Sequence, residues 1–218
     1  VIEISVCNAV HHVGGTGPPR GKTYAGCAGE FAPGRGHHGP GRLLLHQVEG
    51  HAAPVRRLDW WERTTVAGIE IVMTPTQHWS QRTPFDRDEA LWGGYLLKSA
   101  GFTAWFVGDT GYAPELVDDL ASHLAQLVPQ VDFAMIPVGC YEPRWFMRSN
   151  HIDPEEAVRI FQLCGAKRAL GHHWGTFQLT DESIDDPAHR LHKAMDEAGL
   201  ARDLFQPMRP GQVFSFVD

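Results

Sequence analysis

The sequence predicts an α/β fold in which helices cover a mixed sheet, and three observations predict it. From Leu58 onward, short runs with apolar residues at period 2 alternate with longer runs at period 3.6. Two of the short runs meet through turns tight enough for a hairpin, so the sheet is not purely parallel. One run, Val131–Val138, is apolar at nearly every position, as expected of a strand buried on both faces.

Each element follows from its residues. Thr64–Thr74 reads as two β runs around Ala67-Gly68, with Ile69, Ile71 and Met73 alternating along the second. Leu91–Lys98 and Phe102–Val107 are two further strands joined by Ser99-Ala100-Gly101, a hairpin signal. Pro114–Val128 is an amphipathic helix, since Leu116, Leu120, Leu124 and Leu127 share one face. The Val131–Val138 strand follows. Pro154–Cys164 is a helix with Ala157, Ile160, Phe161 and Cys164 on one side. Its start is signalled by Asp153 as N-cap, Pro154 at the first position and Glu155 and Glu156 in the first turn, and its end by Gly165. Lys167–Gly171 is a short strand, Asp186–Ala198 a helix ending at Gly199, and Val213–Val217 a last strand.

Composition narrows the function. The chain has 218 residues, 19 basic against 26 acidic, for a net charge of −7. That balance excludes a basic nucleic-acid binder, because phosphate recognition needs positive charge or a basic stripe. With 43% hydrophobic and 21% charged residues the chain builds a real core. No apolar run approaches the ~18 residues of a transmembrane helix, and no signal peptide is visible. Cysteines stand at 7, 27, 140 and 164, none in a C-x-x-C pair. A reduced, cytoplasmic protein is the expectation. The unusual figure is thirteen histidines, the commonest metal-ligand residue.

Composition also breaks near residue 55. Gly and Pro supply 16 of the first 55 residues and 22 of the other 163, and all seven Trp lie after residue 59. Residues 1–55 are therefore set apart as an anomalous Gly/Pro/His-rich segment, and 56–218 as the folded domain. Three readings stand for the segment: a flexible extension, a stretch ordered by packing on the rest, or an out-of-frame translation. Its His11-His12 and His37-His38 pairs lack ligand spacing, since neighbours on a strand face opposite ways.

The chemistry-bearing residues sit just after predicted strands. His78 follows the Ile69–Thr74 run, Asp109 follows Phe102–Val107, and His173 follows Lys167–Gly171. In layered α/β folds ligands gather beyond strand ends. Two imidazoles and a carboxylate there suit a divalent ion such as zinc. Singly, each has a plainer explanation: a packed histidine, or an Asp between glycines in a turn. The Tyr141–Met147 loop carries Tyr141, Arg144, Trp145 and Phe146, and either walls an active site or docks on the core. His151 precedes the helix N-terminus at Asp153, where it meets a phosphate or bonds the cap. Ser80 and Cys140 lack a nucleophile-elbow motif.

Longer stretches carry a resemblance. TPTQHWSQRT at 74–83, LWG at 91–93, GDTGY at 108–112, IPVGCYEPRWFM at 136–147, HIDPEEAV at 151–158 and HHWGTF at 172–177 resemble the metallo-β-lactamase superfamily. Within it they are most similar to the N-acylphosphatidylethanolamine-hydrolysing phospholipase D group. The resemblance covers roughly Leu58 to Gly211.

The resemblance implies an αββα sandwich, here incomplete at its N-terminal side, with a two-zinc site at one edge. It implies that His78 ligates the first zinc, Asp109 bridges both and His173 ligates the second. It implies that a hydroxide between the metals attacks a phosphodiester, with Asp109 and His151 as catalytic groups and Tyr141, Arg144, Trp145 and Phe146 near the substrate. The partner it implies is a phospholipid or other small molecule, met by a protein peripheral to the membrane. An exposed sheet edge adds the expectation of a homo-oligomer. One departure stands out: the H-x-H-x-D-H cluster with which the family opens is absent from this sequence. A lactone, a cyclic nucleotide or another ester remains an alternative substrate, and an inactive half-domain an alternative state.

Overall fold

The computed structural model describes residues 3–5, 58–81, 84–85, 87–88 and 90–215. In chain order the elements are β1 (Glu3–Ser5), β2 (Arg63–Val66), β3 (Ile69–Thr74), β4 (Gly94–Ser99), β5 (Phe102–Phe106), α1 (Pro114–Leu127), β6 (Phe133–Pro137), α2 (Arg144–Met147), α3 (Pro154–Cys164), β7 (Arg168–His172), α4 (Asp186–Glu197), β8 (Phe205–Pro207) and β9 (Val213–Ser215). Apart from β1, the separation of residues 1–55 and the incomplete N-terminal side fall outside the described residues.

Seven strands form one mixed sheet in the order β2-β3-β4-β5-β6-β7-β8. Its first half is an antiparallel meander, β2 to β5, with tight turns joining β2 to β3 and β4 to β5 and a long connection, residues 75–93, between β3 and β4. Ala67 and Gly68 take φ of 50° and 82°, the paired positive values of a two-residue hairpin turn whose twist matches the strands. The second half, β5 to β8, is parallel, each crossover being made by a helix. The α/β class with a mixed sheet is therefore as the sequence predicts.

The helices share one face of that sheet. Val117, Leu120 and Leu124 of α1, Ile160 and Phe161 of α3, and Leu191 and Met195 of α4 pack on Val72, Leu96, Trp105, Ala134, Ile136 and Phe205. Trp105 is fully buried there, its indole N–H donating to Thr74 Oγ1 at 3.2 Å, as a buried indole requires. Phe133, Leu170, Met135 and Met208 line the opposite face. A two-stranded antiparallel ribbon of β1 and β9 belongs to that side, with Phe214 stacked on Phe133 at 6.2 Å. The strand β6 thus buries residues on both faces, as its unbroken apolar run demands.

Local chemistry sets the element ends. Asp153 accepts from the Glu156 N–H at 2.8 Å and Glu156 accepts from the Asp153 N–H at 3.1 Å, a complete capping box on α3. The strand β4 starts at Gly94 rather than Leu91, and at Gly94 the chain lies so close to its neighbour that a Cβ would stand 2.3 Å from the Val107 carbonyl oxygen. Leu91 instead anchors a small cluster with Leu58 and Met73. Three elements have no sequence counterpart, the three-residue β1 and β8 and the four-residue α2, each too short for an apolar period to repeat. Among the described residues, no helix is long and apolar enough to cross a membrane.

Candidate metal centre

Strand direction brings the donors together. β3 is antiparallel to β4 and β4 to β5, so β3 runs parallel to β5, β6 and β7. The carboxyl ends of all four strands open on one edge of the sheet, where α/β folds collect ligands. His78 lies four residues beyond β3, Asp109 three beyond β5 and His173 one beyond β7, while the chain leaving β6 passes through α2 to His151.

At that edge His78, Asp109 and His151 offer ligand atoms that all lie within 4.8 Å of one another. His173 joins them, its Nε2 3.3 Å from Asp109 Oδ2, each side chain 18% exposed. The rings of His151 and His173 stack at 5.2 Å, and His78 meets His151 edge-on at the same centroid distance. His78 Nδ1 stands 2.8 Å from the Trp79 carbonyl. A carbonyl can only accept, so Nδ1 carries the proton of the neutral ring and the lone pair sits on Nε2.

The loops that bear these residues are stapled to one another. Gln77 is the centre of the staple. Its N–H donates to Thr110 Oγ1 at 3.0 Å, its carbonyl accepts the Gly111 N–H at 2.8 Å, and its side-chain amide donates to the Ser149 carbonyl at 2.8 Å. One residue thereby ties the neighbours of His78, Asp109 and His151. Gly108, at φ 77°, lets the chain turn into Asp109 with its α-carbon against the Gly93 carbonyl, where a Cβ would lie at 2.7 Å.

Electrostatics follow from this crowding. Burial works to raise the Asp109 pKa, but attraction to His173, the hydrogen bond from it, and then His151 and His78 outweigh burial and hold the carboxyl well below its ordinary value. Burial works to lower His173, and the Asp109 carboxylate reverses it, so the imidazole is held above its usual range. His172 faces the other side of β7, stacked on Phe106 at 5.0 Å. Burial, and then the charge of His173, push its pKa down to about 4, and among the described residues its buried Nε2 has no hydrogen-bond partner.

The donor set fits a divalent ion of the borderline kind. Three imidazoles and one carboxylate are the ligands such an ion prefers, and ligands about 2 Å from one ion stand roughly 3.3 Å apart. The ligand atoms of His78, Asp109 and His151, within 4.8 Å of one another, are of that order of spacing.

The remaining candidate residues separate into two pairs. Trp145 and Phe146 project from α2 at 82% and 63% exposure, their rings 5.7 Å apart. Tyr141 and Arg144 are held by partners within the fold. Tyr141 is fully buried, its hydroxyl donating to Asp186 Oδ2 and its ring covered by the Arg190 guanidinium at 4.6 Å. Burial and the Asp186 bond raise its pKa. Arg144 donates to both Glu156 oxygens at 3.0 and 2.8 Å, pairs with Asp153 at 3.4 Å, and donates to the His151 carbonyl at 2.9 Å. Its fork is filled by the α3 cap and the His151 backbone. These are pairings across 12 and 45 residues, with no local pattern to announce them.

A mixed sheet whose carboxyl edge gathers imidazoles around a carboxylate defines an α/β domain built to hold metal. The chain belongs to the beta-lactamase superfamily, whose family, described as Beta-lactamase superfamily domain, matches residues 35–174. The match reaches upstream of Leu58, into the segment that composition sets apart. Among curated relatives the chain is similar to N-acyl-phosphatidylethanolamine-hydrolyzing phospholipase D 1 of Caenorhabditis elegans, 36% identical over 170 residues, covering 75% of this chain and 47% of that protein. It is similar also to the mitochondrial N-acyl-phosphatidylethanolamine-hydrolyzing phospholipase D of Saccharomyces cerevisiae, 32% identical over 158 residues, covering 70% of this chain and 33% of that protein. The chain spans less than half the length of either relative. Among solved structures it shares its fold with Igni18, a metallo hydrolase from Ignicoccus hospitalis, at a TM-score of 0.52 and 20% identity, covering 75% of this chain and 62% of that one.

Proposed function

We propose that this chain is a zinc-dependent hydrolase that cleaves a phosphodiester in a phospholipid or a related small molecule. The observation that carries the reading is the cluster at the sheet edge: three donors within 4.8 Å, and His173 3.3 Å from Asp109. His78, Asp109 and His173 would hold the metal, with zinc as the ion. Bound zinc supplies Lewis acidity and an activated water near neutral pH.

The chain's own residues do the rest. No protein nucleophile is called for, in keeping with the absence of an elbow motif at Ser80 or Cys140. His151 has its ring 5.2 Å from those of both His78 and His173, so its imidazole can hold or hand on a proton inside the cluster. Trp145 and Phe146 offer apolar surface to the substrate. Tyr141 and Arg144 serve from behind, holding the loop and the His151 carbonyl in place. The similarity to the two phospholipase D relatives supports a phospholipid substrate. The same reading takes the protein as cytoplasmic and peripheral to the membrane; because a net charge of −7 provides no attraction to anionic lipid, contact with the membrane would come through the substrate.

The test is direct. Zinc-loaded protein given N-acylphosphatidylethanolamine in detergent micelles is expected to release phosphatidic acid and an N-acylethanolamine. Asp109→Ala is expected to abolish release and to lower the zinc content. Full activity in Asp109→Ala, or in protein stripped of metal, overturns the reading. Hydrolysis of a lactone or a cyclic nucleotide in place of the phospholipid overturns the substrate class and leaves the metal chemistry.

A further inference from the structure

One carboxylate outside the cluster makes an unusual set of contacts. Glu182 lies on the segment between His173 and α4. Its Oε1 accepts the N–H groups of Cys140 at 2.6 Å and Tyr141 at 3.3 Å, and its Oε2 accepts the N–H of Glu142 at 3.0 Å. Three successive backbone donors converge on one side chain forty residues away. They converge because Cys140 takes φ 64°, a left-handed conformation that turns its N–H toward those that follow. The segment is also tied in reverse, the Asp181 N–H donating to the Glu142 carbonyl at 3.4 Å.

The backbone that Glu182 grips is the one behind His173. A Cβ on Gly139 would lie 2.3 Å from the His173 carbonyl oxygen and 3.0 Å from the Trp174 Cβ, so the two chains are in direct contact. His173 is itself left-handed, at φ 65°. Non-glycine residues hold that conformation only when their surroundings over-determine it. Glu182 and His173 also line one cleft, together with Cys140, Phe177 and Thr180. Gly139 presses on His173 from one side, and Glu182 holds the loop that continues from Gly139.

We propose that Glu182 is a positioning residue of the metal centre. By fixing the Cys140–Glu142 backbone it holds the wall against which His173 rests, and so sets His173 against Asp109. The inference rests on His173 being a metal ligand. A carboxylate is the group the place demands. It offers lone pairs on two oxygens to three donors, it carries the charge that strengthens each bond, and it reaches across because Glu has one methylene more than Asp. Glu182 acts on the backbone that touches His173 rather than on His173 itself, so its loss is expected to cost the low end of the 10–100-fold typical of a partner bonded directly to a ligand.

The experiment measures zinc affinity by chelator competition, and the thermal midpoint with metal removed, for the full chain and for Glu182→Ala, Glu182→Gln and Glu182→Asp. Glu182→Ala is expected to bind zinc about tenfold more weakly. Glu182→Gln is expected to fall between it and the parent, because the amide oxygen still accepts from Cys140 and Tyr141 while its NH2 faces the Glu142 N–H. Glu182→Asp, too short to reach, is expected to behave as the Ala variant. Zinc affinity in Glu182→Ala equal to the parent's overturns the inference alone. So does a fall in the metal-free midpoint with unchanged zinc affinity of the folded protein, which describes a clamp without a link to the ligand. Absence of zinc binding by the parent chain overturns the metal reading, and this inference with it.

Discussion

The side-chain amide of Gln77 donates to the carbonyl of Ser149 across 2.8 Å, joining the loop that carries His78 to the loop that carries His151. The two histidines are 73 residues apart in sequence and 5.2 Å apart at their ring centroids. Gln77→Ala removes that bond and leaves the backbone bonds of residue 77 to Thr110 and Gly111. The expected result is a loss of about 1 kcal/mol in unfolding free energy, with zinc affinity down about tenfold. Urea unfolding and chelator competition on the same preparation check both.

Arg144→Ala strips the partner from Glu156 and Asp153 and from the His151 carbonyl at once. The guanidinium is about three-quarters buried, at 26% side-chain exposure, so screening only partly offsets the loss. A destabilisation of about 2–3 kcal/mol is expected. Burial, and then the Asp153 charge, already raise the Glu156 pKa, and removing the cation raises it further. Activity should fall through kcat as well as KM, because the His151 backbone loosens. A change confined to KM would instead mark Arg144 as a direct substrate contact.

Trp145→Ala and Phe146→Ala test the exposed pair on α2. Neither side chain is in the core, so each substitution should shift stability by no more than about 0.5 kcal/mol. Zinc content should stay at the parent value. If the pair meets the apolar part of the substrate, KM for a long-chain lipid rises several-fold while a short, water-soluble phosphodiester is turned over as before. Steady-state kinetics on both substrates separate the outcomes.

Cys164 supplies a pH prediction. Its thiol is turned in at the end of α3, with Sγ 3.3 Å from the Phe161 carbonyl, and burial pushes its pKa up to about 12. In the unfolded chain the thiol ionises near its ordinary value, about 8.5. The folded state therefore holds the extra proton above that pH. The stabilisation is complete below about pH 8.5 and is lost progressively as pH rises toward 12. Between pH 8 and pH 10 the parent is expected to lose about 1–2 kcal/mol more than Cys164→Ser. Tyr141, also raised, contributes equally to both proteins and cancels in the comparison. Urea titrations at the two pH values check it.

What the sequence announces depends on how local the cause is. The α3 cap was legible because Asp153, Pro154 and Glu156 act within one turn, and the Ala67-Gly68 hairpin because two residues make it. The α/β class was legible because the change of period from 2 to 3.6 is a property of each segment. The positions of His78, Asp109 and His173 could be marked because strand ends are where such folds gather ligands. What could not be read is contact between distant side chains. Tyr141 and Arg144 stand in a motif that suggests substrate, yet Asp186 and Glu156 draw them inward. Gln77 and Glu182 look like ordinary polar loop residues until the chain brings Ser149 and the Cys140–Glu142 backbone to them. The elements β1, α2 and β8 escape notice for the simpler reason that three or four residues are too few for a period to repeat.

The glycines divide the molecule into two rims with different tolerances. At the rim that bears the donors, a methyl group on Gly93, Gly94, Gly108, Gly111 or Gly139 would come within 3 Å of a neighbouring atom. At the opposite rim, Gly68, Gly101, Gly165 and Gly199 would meet nothing within 4 Å. The first five positions have no room for a side chain, and the four turns opposite have room around glycines whose positive φ must be kept. A label, a tether to a solid support or a spliced-in peptide at Ala100-Gly101 or after Gly165 extends the chain into empty space. It does so a full strand length away from the histidines. The direction of four strands thus puts the crowded turns on the side of the histidines and the turns with room for added chain on the other.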